Sequence, residues 1–307
     1  MKKINIFKIL LLTAVFPLIL TSCEDVVEVE LNEENIDLIA VEAYLNTKST
    51  DNIYVKIERT LAVDETAVNP PINNAIVEIS DNEATPNSVI LAEDGNTGIY
   101  RLPENTTYET VAGRTYHLNI TTPDGIVITG SDYLQEIENL DTVKVNLSAR
   151  GDYEFLAIFI SSQETPNEGH YYKWDIYINN NMLYESENMA FASDELVDGN
   201  YIQDFEIFTD FYADEDEDED RVLYEGDTIY VEQLSISEAA YDFYIGMMNQ
   251  AFTGGPFSVP PANIPGNLTS SDGKRVLGIF SARDISPGTP IIIGEDNFTP
   301  LNEEDSN

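Results

Sequence analysis

Short runs in which apolar and polar residues alternate constrain this chain most, because that period belongs to β-strands with one buried face. In NIYVKIERT, Ile53, Val55 and Ile57 share one face. In GRTYHLNITTPDGIVITG, a Pro-Asp-Gly turn joins two such runs, which indicates a hairpin. Several runs of this kind without helical segments between them predict an antiparallel β-sandwich over residues 36–138.

A second mostly β domain with one helix is predicted over residues 139–295. YEFLAIFIS is apolar on both faces, as in a central strand, and Trp174 lies on the apolar face of HYYKWDIYI, which places it in a core. Ser235 and Glu238 form a capping-box pattern before apolar residues at helical spacing, which predicts a packed helix at about 236–251. The acidic segment 296–307 has no pattern, and we expect it to be disordered.

The N-terminus has the pattern of a lipoprotein signal peptide over residues 1–22. Three lysines precede a short apolar run and two small residues, and the run is too short to span a membrane as a helix. Leu-Thr-Ser-Cys then matches a lipobox, which predicts that Cys23 carries diacylglycerol and an amide-linked acyl chain such as palmitate. The alternative is an ordinary cleavage site beside a chance cysteine. Cys23 is the only cysteine, so no disulfide is expected.

The acidic linker at residues 23–35 bears on location. It resembles the export signals that direct lipoproteins to the outer face of the outer membrane, and its alternative is a solvated linker. We therefore expect a lipid-anchored outer-membrane protein that faces the cell surface or the periplasm, with the linker favouring the surface. A formal charge of -41 excludes nucleic acid as a partner, because phosphate backbones would be repelled.

Several segments together resemble a known family. GIYRL, FASDELVDG, LSISEAAYDFYIGM and above all GGPFSVPPANIPGNL followed by VLGIFSA look like Bacteroidetes outer-membrane lipoproteins of the domain-of-unknown-function 4249 family. The resemblance implies an Ig-like or transthyretin-like N-terminal sandwich, a second mostly β domain, and genes near a TonB-dependent receptor. It carries over no functional residue except Cys23.

Two acidic segments are candidate cation sites. Seven consecutive acids at 214–220 repel one another and are more typical of a solvated loop that holds divalent cations such as calcium loosely. Asp194, Glu195 and Asp198 lie in a better shaped turn and are the candidate metal ligands. We otherwise expect no cofactor.

The two histidines decide whether an enzyme is expected. His117 lies on the polar face of a strand, and His170 enters a strand after a turn. Neither belongs to a recognisable metal-binding or nucleophile motif. The chain is therefore predicted not to be an enzyme, and a deep pocket joining either histidine to carboxylates would be needed to support catalysis.

A proline-rich loop is the candidate partner-contact surface. Its restricted backbone and apolar side chains indicate either a loop packed on its own domain or a rigid surface for a partner barrel. We expect an accessory binding subunit of a TonB-dependent transporter, active in ligand capture or gating. The alternative is a structural or adhesive surface protein. The loop residues concerned are Pro256, Phe257, Val259, Pro260 and Pro261.

Overall fold

The computed structural model describes residues 38–48, 53–61, 68–150, 153–167, 169–185, 188–210, 223–251 and 264–298. Within these ranges the chain is mostly β with one α-helix, which confirms the predicted fold class. The strands are β1 (Ile39–Asn46), β2 (Ile53–Arg59), β3 (Ile76–Asp81), β4 (Ser88–Ile90), β5 (Ala92–Glu93), β6 (Ile99–Arg101), β7 (Thr115–Thr121), β8 (Val127–Tyr133), β9 (Leu140–Arg150), β10 (Tyr153–Gln163), β11 (Tyr171–Ile178), β12 (Asn181–Met182), β13 (Ala190–Ser193), β14 (Tyr201–Asp210), β15 (Thr228–Ile236), β16 (Leu268–Ser270), β17 (Val276–Arg283), β18 (Ile285–Pro287) and β19 (Ile291–Ile292). The helices are α1 (Glu238–Ala251) and a 3-10 helix (Glu295–Phe298).

The first sandwich consists of two five-stranded sheets. Their strand orders are β17-β1-β2-β6-β5 and β16-β8-β7-β3-β4. The alternating strands turn their apolar residues inward, so that Val55, Leu118 and Phe280 are buried in one shared core. The predicted faces of the N-terminal strands are therefore confirmed.

Two C-terminal strands complete the first sandwich. β17 pairs in parallel with β1, from Ile39 opposite Val276 to Asn46 opposite Arg283, and β16 pairs with β8. Strand pairing therefore assigns β16 and β17 to the first sandwich, although the predicted boundaries placed them in the domain at 139–295. The reason is that alternation identifies the buried face of a strand but does not identify its neighbours.

The second sandwich packs a three-stranded sheet, β14-β10-β9, against a six-stranded sheet with the main order β12-β11-β15-β18. The central strand β10 is apolar on both faces as predicted, and Leu156 and Ile158 are fully buried. Trp174 is 5% exposed and belongs to the same core as these residues, which confirms its predicted place.

Helix α1 begins two residues later than the capping-box pattern indicated. The hydroxyl of Ser237 accepts the backbone N–H of Ala240 at 3.3 Å, so Ser237 is the N-cap. Ser235 instead extends β15 and donates its hydroxyl to the carbonyl of Gln135 at 2.7 Å. The helix packs against Ile279 of β17 and against aromatic residues of β11 and β13. No helix in the described ranges has the length and apolar character needed to cross a membrane.

Some predictions fall outside the described residues. These are the signal peptide at 1–22, Cys23 with its linker at 23–35, the acidic run at 214–220, the proline-rich loop at 256–261 and the tail from 299 onward. Residues 296–298, predicted to begin the disordered tail, belong to the 3-10 helix, where the Asn297 amide donates to the carbonyl of Val145 at 2.7 Å. This side-chain anchor holds the chain in place to Phe298.

Candidate functional site

A cleft of about 750 Å³ lies between the outer faces of two sheets. β1 and β17 form one wall, β11 and β15 form the opposite wall, and α1 closes one side. The cleft is defined below by Tyr44, Lys48, Lys173, Glu232, Tyr244, Met247 and Arg283.

Strand alternation explains which side chains reach the cleft. In β1, Ala43 and Leu45 enter the core of the first sandwich, and Tyr44 between them faces outward. In β11, Trp174 enters the core of the second sandwich, and Lys173 beside it faces the cleft. Each wall is therefore the polar face of a sheet whose other face is core.

Two buried carboxylates on the second wall are neutralised by lysines. Asp175 and Glu232 lie directly opposite each other on β11 and β15, an arrangement in which like charges repel. Lys173 pairs with Asp175, and Lys48, from the segment after β1, reaches Glu232 at 2.5 Å. These pairs satisfy charges that would be costly to bury alone, and the Lys48 pair links the two sandwiches.

Arg283 is the cation of the cleft without an acidic partner. Its guanidinium lies 2.8 Å from the hydroxyl of Tyr244 and 3.1 Å from that of Ser281, and 5.2 Å above the ring of Tyr44. In the described part of the chain, no ion pair joins it to a carboxylate. Burial lowers the pKa of Arg283 while Tyr244 and Asp175 raise it, and the net effect is a raised pKa. The side chain stays charged with donors to spare.

A row of stacked side chains continues from Arg283 across the outer face of the sheet that contains β17, β1, β2 and β6. Tyr44 stacks on Tyr54 with ring centroids 5.1 Å apart, and Arg101 lies 5.0 Å from the Tyr54 ring at the far end. Burial, with a contribution from Glu42, raises the pKa of Tyr54 to about 12. The row fixes Arg283 through cation–π and ring contacts.

The opposite end of the cleft is apolar and adaptable. Met189, Phe243 and Met247 line it, and all three are only partly buried. Methionine fits irregular shapes because it is unbranched and polarisable. The cleft thus combines an unpaired cation with an adaptable apolar surface.

A smaller cavity of about 240 Å³ lies within the second sandwich. Trp174, Phe205 and Ile160 are among its mainly apolar wall residues, and Glu164 contributes a polar edge. The Trp174 ring nitrogen donates to Gln233 at 3.0 Å, so the indole is fixed in place. Trp174 is both a core residue and a wall of this cavity.

The structure separates the two histidines. His117 is exposed on β7, as its place on the polar face predicts. His170 lies between two buried carboxylates, with its Nδ1 3.8 Å from Glu164 Oε1 and 3.5 Å from Asp194 Oδ2. We call these three residues the histidine cluster.

The predicted metal candidates are not brought together. Asp194 is buried in the histidine cluster, whereas Glu195 and Asp198 are exposed, and Asp198 accepts the backbone N–H of Asn167 at 2.7 Å. Among the described residues, neither exposed carboxylate joins the group that could hold a metal ion. Sequence reasoning missed Glu164, whose only signal is its position directly after β10, a strand with an apolar central run.

Comparison with known families matches most of the chain to a family model. The family model described as Domain of unknown function (DUF4249) matches residues 24–286. A search of curated proteins found no match to the chain.

Proposed function

The chain belongs to the DUF4249 family, whose description gives no function, and from the cleft we propose a non-catalytic binding protein for an amphipathic, anionic ligand. The observation that carries the proposal is Arg283. Lys48 and Lys173, the other two cations of the cleft, each pair with a carboxylate, whereas Arg283 forms no ion pair with a described carboxylate. A ligand carboxylate, sulfonate or phosphate would supply the missing partner through charge-assisted hydrogen bonds.

The apolar lining of the rest of the cleft indicates that the ligand also has an apolar part. The volume of about 750 Å³ lies within the range of small-molecule sites. Met247 and Phe243 provide apolar contact at one end, and Tyr44 provides a ring beside Arg283. A purely ionic ligand would leave this apolar surface uncovered.

Binding rather than catalysis is favoured by the position of His170. His170 does not line the cleft, and neither does His117, so neither histidine stands beside a ligand bound there. In the cleft itself, Glu232 and Asp175 are each held in an ion pair with a lysine, so neither carboxylate is free to act as a base.

The cellular role that we propose is an accessory subunit of a TonB-dependent transporter at the outer membrane. A lipid anchor at Cys23 would hold the cleft close to the barrel, so that transfer of ligand becomes effectively intramolecular. This part of the proposal rests on the lipobox and on the family resemblance.

Ligand capture can be tested with 8-anilinonaphthalene-1-sulfonate, a probe that is anionic and apolar. We expect saturable 1:1 binding by the wild-type protein and about tenfold weaker binding by Arg283→Gln, which corresponds to the loss of one charge-assisted contact. Arg101→Gln is the matched control, because Arg101 also lies on a tyrosine of the same row but outside the cleft. Equal affinity of the two variants for the probe would show that Arg283 does not contribute to the binding site.

The transporter partnership requires a separate test. A tagged, lipidated protein is purified from gently solubilised outer membrane, and the copurifying proteins are identified by mass spectrometry. A stoichiometric TonB-dependent barrel would support the accessory role. Its absence under conditions that preserve other barrel complexes would favour the structural or adhesive alternative.

A further inference from the structure

The histidine cluster is assembled by strand pairing at one end of the second sandwich. β11 and β13 are antiparallel with Tyr171 opposite Ser193, so His170 and Asp194 are neighbours just beyond the paired residues. The backbone N–H of Asp194 donates to the carbonyl of His170 at 3.1 Å and continues the ladder. Glu164 follows β10 and approaches from the facing sheet. Three separate segments thus bring ligand-type side chains to one point.

The cluster is deeply buried and lacks an obvious balance of charge. Glu164 and Asp194 are each 2% exposed, and the only ion pairs that they form with described residues are to His170. Two carboxylates buried side by side call for compensating positive charge, because buried charges in proteins are paired or bind metal ions. A cation is therefore the missing component.

His170 Nδ1 gives an independent indication. The atom is buried and has no hydrogen-bond partner among the described residues, although two carboxylates lie nearby. The separation of 3.8 Å from Glu164 Oε1 is too long for a hydrogen bond, and 3.5 Å from Asp194 Oδ2 is at the limit. A buried ring nitrogen without a hydrogen-bond partner is a group that a metal ion would satisfy.

We propose that Glu164, His170 and Asp194 bind one divalent transition-metal ion of the zinc class. The three ligand atoms lie within 4.8 Å of one another. Because Nδ1 lies 3.8 and 3.5 Å from the two carboxylate oxygens and the third separation is at most 4.8 Å, a point equidistant from the three atoms is roughly 2.0 to 2.4 Å from each. Zinc–nitrogen and zinc–oxygen bonds are about 2.0 to 2.2 Å. Imidazole as a ligand favours zinc and its transition-metal neighbours over calcium, which prefers oxygen ligands alone.

Neighbouring donors hold the two carboxylates in position. The Tyr172 hydroxyl donates to Glu164 Oε1 at 2.7 Å, and the Gly199 N–H donates to Glu164 Oε2. The backbone N–H of His170 donates to Asp194 Oδ2 at 2.9 Å. Such supporting bonds orient metal ligands, and their loss commonly weakens metal binding about 10- to 100-fold.

The direct test is calorimetric titration of the full-length, chelator-treated protein with zinc chloride, together with its melting temperature. We expect one site per chain, a raised melting temperature with zinc, and at least a hundredfold loss of affinity in His170→Asn. Asp198→Asn is the matched control, because Asp198 is an exposed acid of the adjacent turn that lies outside the cluster. Equal zinc affinity in the two variants would assign binding to the acidic surface and overturn the site.

Cobalt absorption of the wild-type protein keeps the proposal testable even if His170→Asn fails to fold. Bound Co²⁺ should show visible bands of a low-coordinate nitrogen and oxygen site, and Tyr172→Phe should weaken Co²⁺ binding about 10- to 100-fold. No visible bands and no shift in melting temperature with zinc would show that the cluster does not bind a metal ion, and the metal site would be withdrawn. Neither experiment involves a ligand of the cleft, so this outcome leaves the proposed binding function unaffected.

Discussion

Asp132 should make the stability of the first sandwich decrease as pH rises. The side chain lies on β8, is 5% exposed, and accepts the backbone N–H of Ala282 on β17 at 2.7 Å. It therefore connects the two sheets of the sandwich. Burial raises the pKa of Asp132 from 3.8 to about 6, against hydrogen bonds from Ser237 and Ala282 that lower it.

The size of the stability change follows from the difference between the pKa of Asp132 in the folded chain and its pKa in the unfolded chain. About two pKa units at 1.36 kcal/mol each amount to roughly 3 kcal/mol. Because the folded-state pKa is the higher one, this stability is fully present below pH 3.8 and is lost as pH rises through about 6. Roughly half of this loss of stability occurs above about pH 5. Measurements there avoid the sequence pI of 4.1, where solubility is lowest.

Asp132→Asn isolates this contribution, since an amide does not ionise but its oxygen can still accept the Ala282 N–H. We expect the free energy of unfolding of the variant, relative to wild type, to increase by about 1.5 kcal/mol between pH 5 and pH 8. Urea unfolding followed by far-ultraviolet circular dichroism measures it, and Asp141→Asn, at an exposed position, serves as control. A difference that is flat with pH, or that falls, would refute the reasoning.

Two further predictions concern close packing and charge. Gly278 has a φ of 92° and a Cβ there would lie 2.0 Å from the Val41 carbonyl oxygen, whereas Gly273 has a φ of 76° with open space around it. Gly278→Ala should therefore destabilise the protein by more than about 4 kcal/mol and Gly273→Ala by about 1 to 2 kcal/mol in urea unfolding; similar values would contradict the role of the contact. Lys48→Met leaves Glu232, 3% exposed, without its lysine, and should cost about 1 to 3 kcal/mol in urea unfolding; unchanged stability would exclude this explanation.

The sequence predicts the strands of this protein better than their partners. The alternation of Ile53, Val55 and Ile57 identifies the buried face of β2 because a half-buried strand requires that period. Nothing local indicates that β1 pairs in parallel with β17, since Ile39 and Val276 lie more than two hundred positions apart in the sequence. Register and partner depend on the packing of the whole sandwich.

The candidate sites show the same limit. Asp194 was predicted as a metal candidate from its acidic turn, but its neighbours Glu195 and Asp198 face solvent. Glu164 and His170 join Asp194 only because three segments end at the same edge of the second sandwich. Arg283 gave no signal in the sequence, because the lack of a carboxylate partner becomes visible only in the folded chain.

The late position of β16 and β17 has a consequence for the growing polypeptide. Until these strands are synthesised and paired, β1 and β8 are the outermost strands of their sheets, with backbone N–H and C=O groups open along one side. Open edges of this kind are templates for pairing with other chains, and distant pairings form slowly. A chain cut before Leu268 would lack both covering strands, and its self-association would be the expected fate.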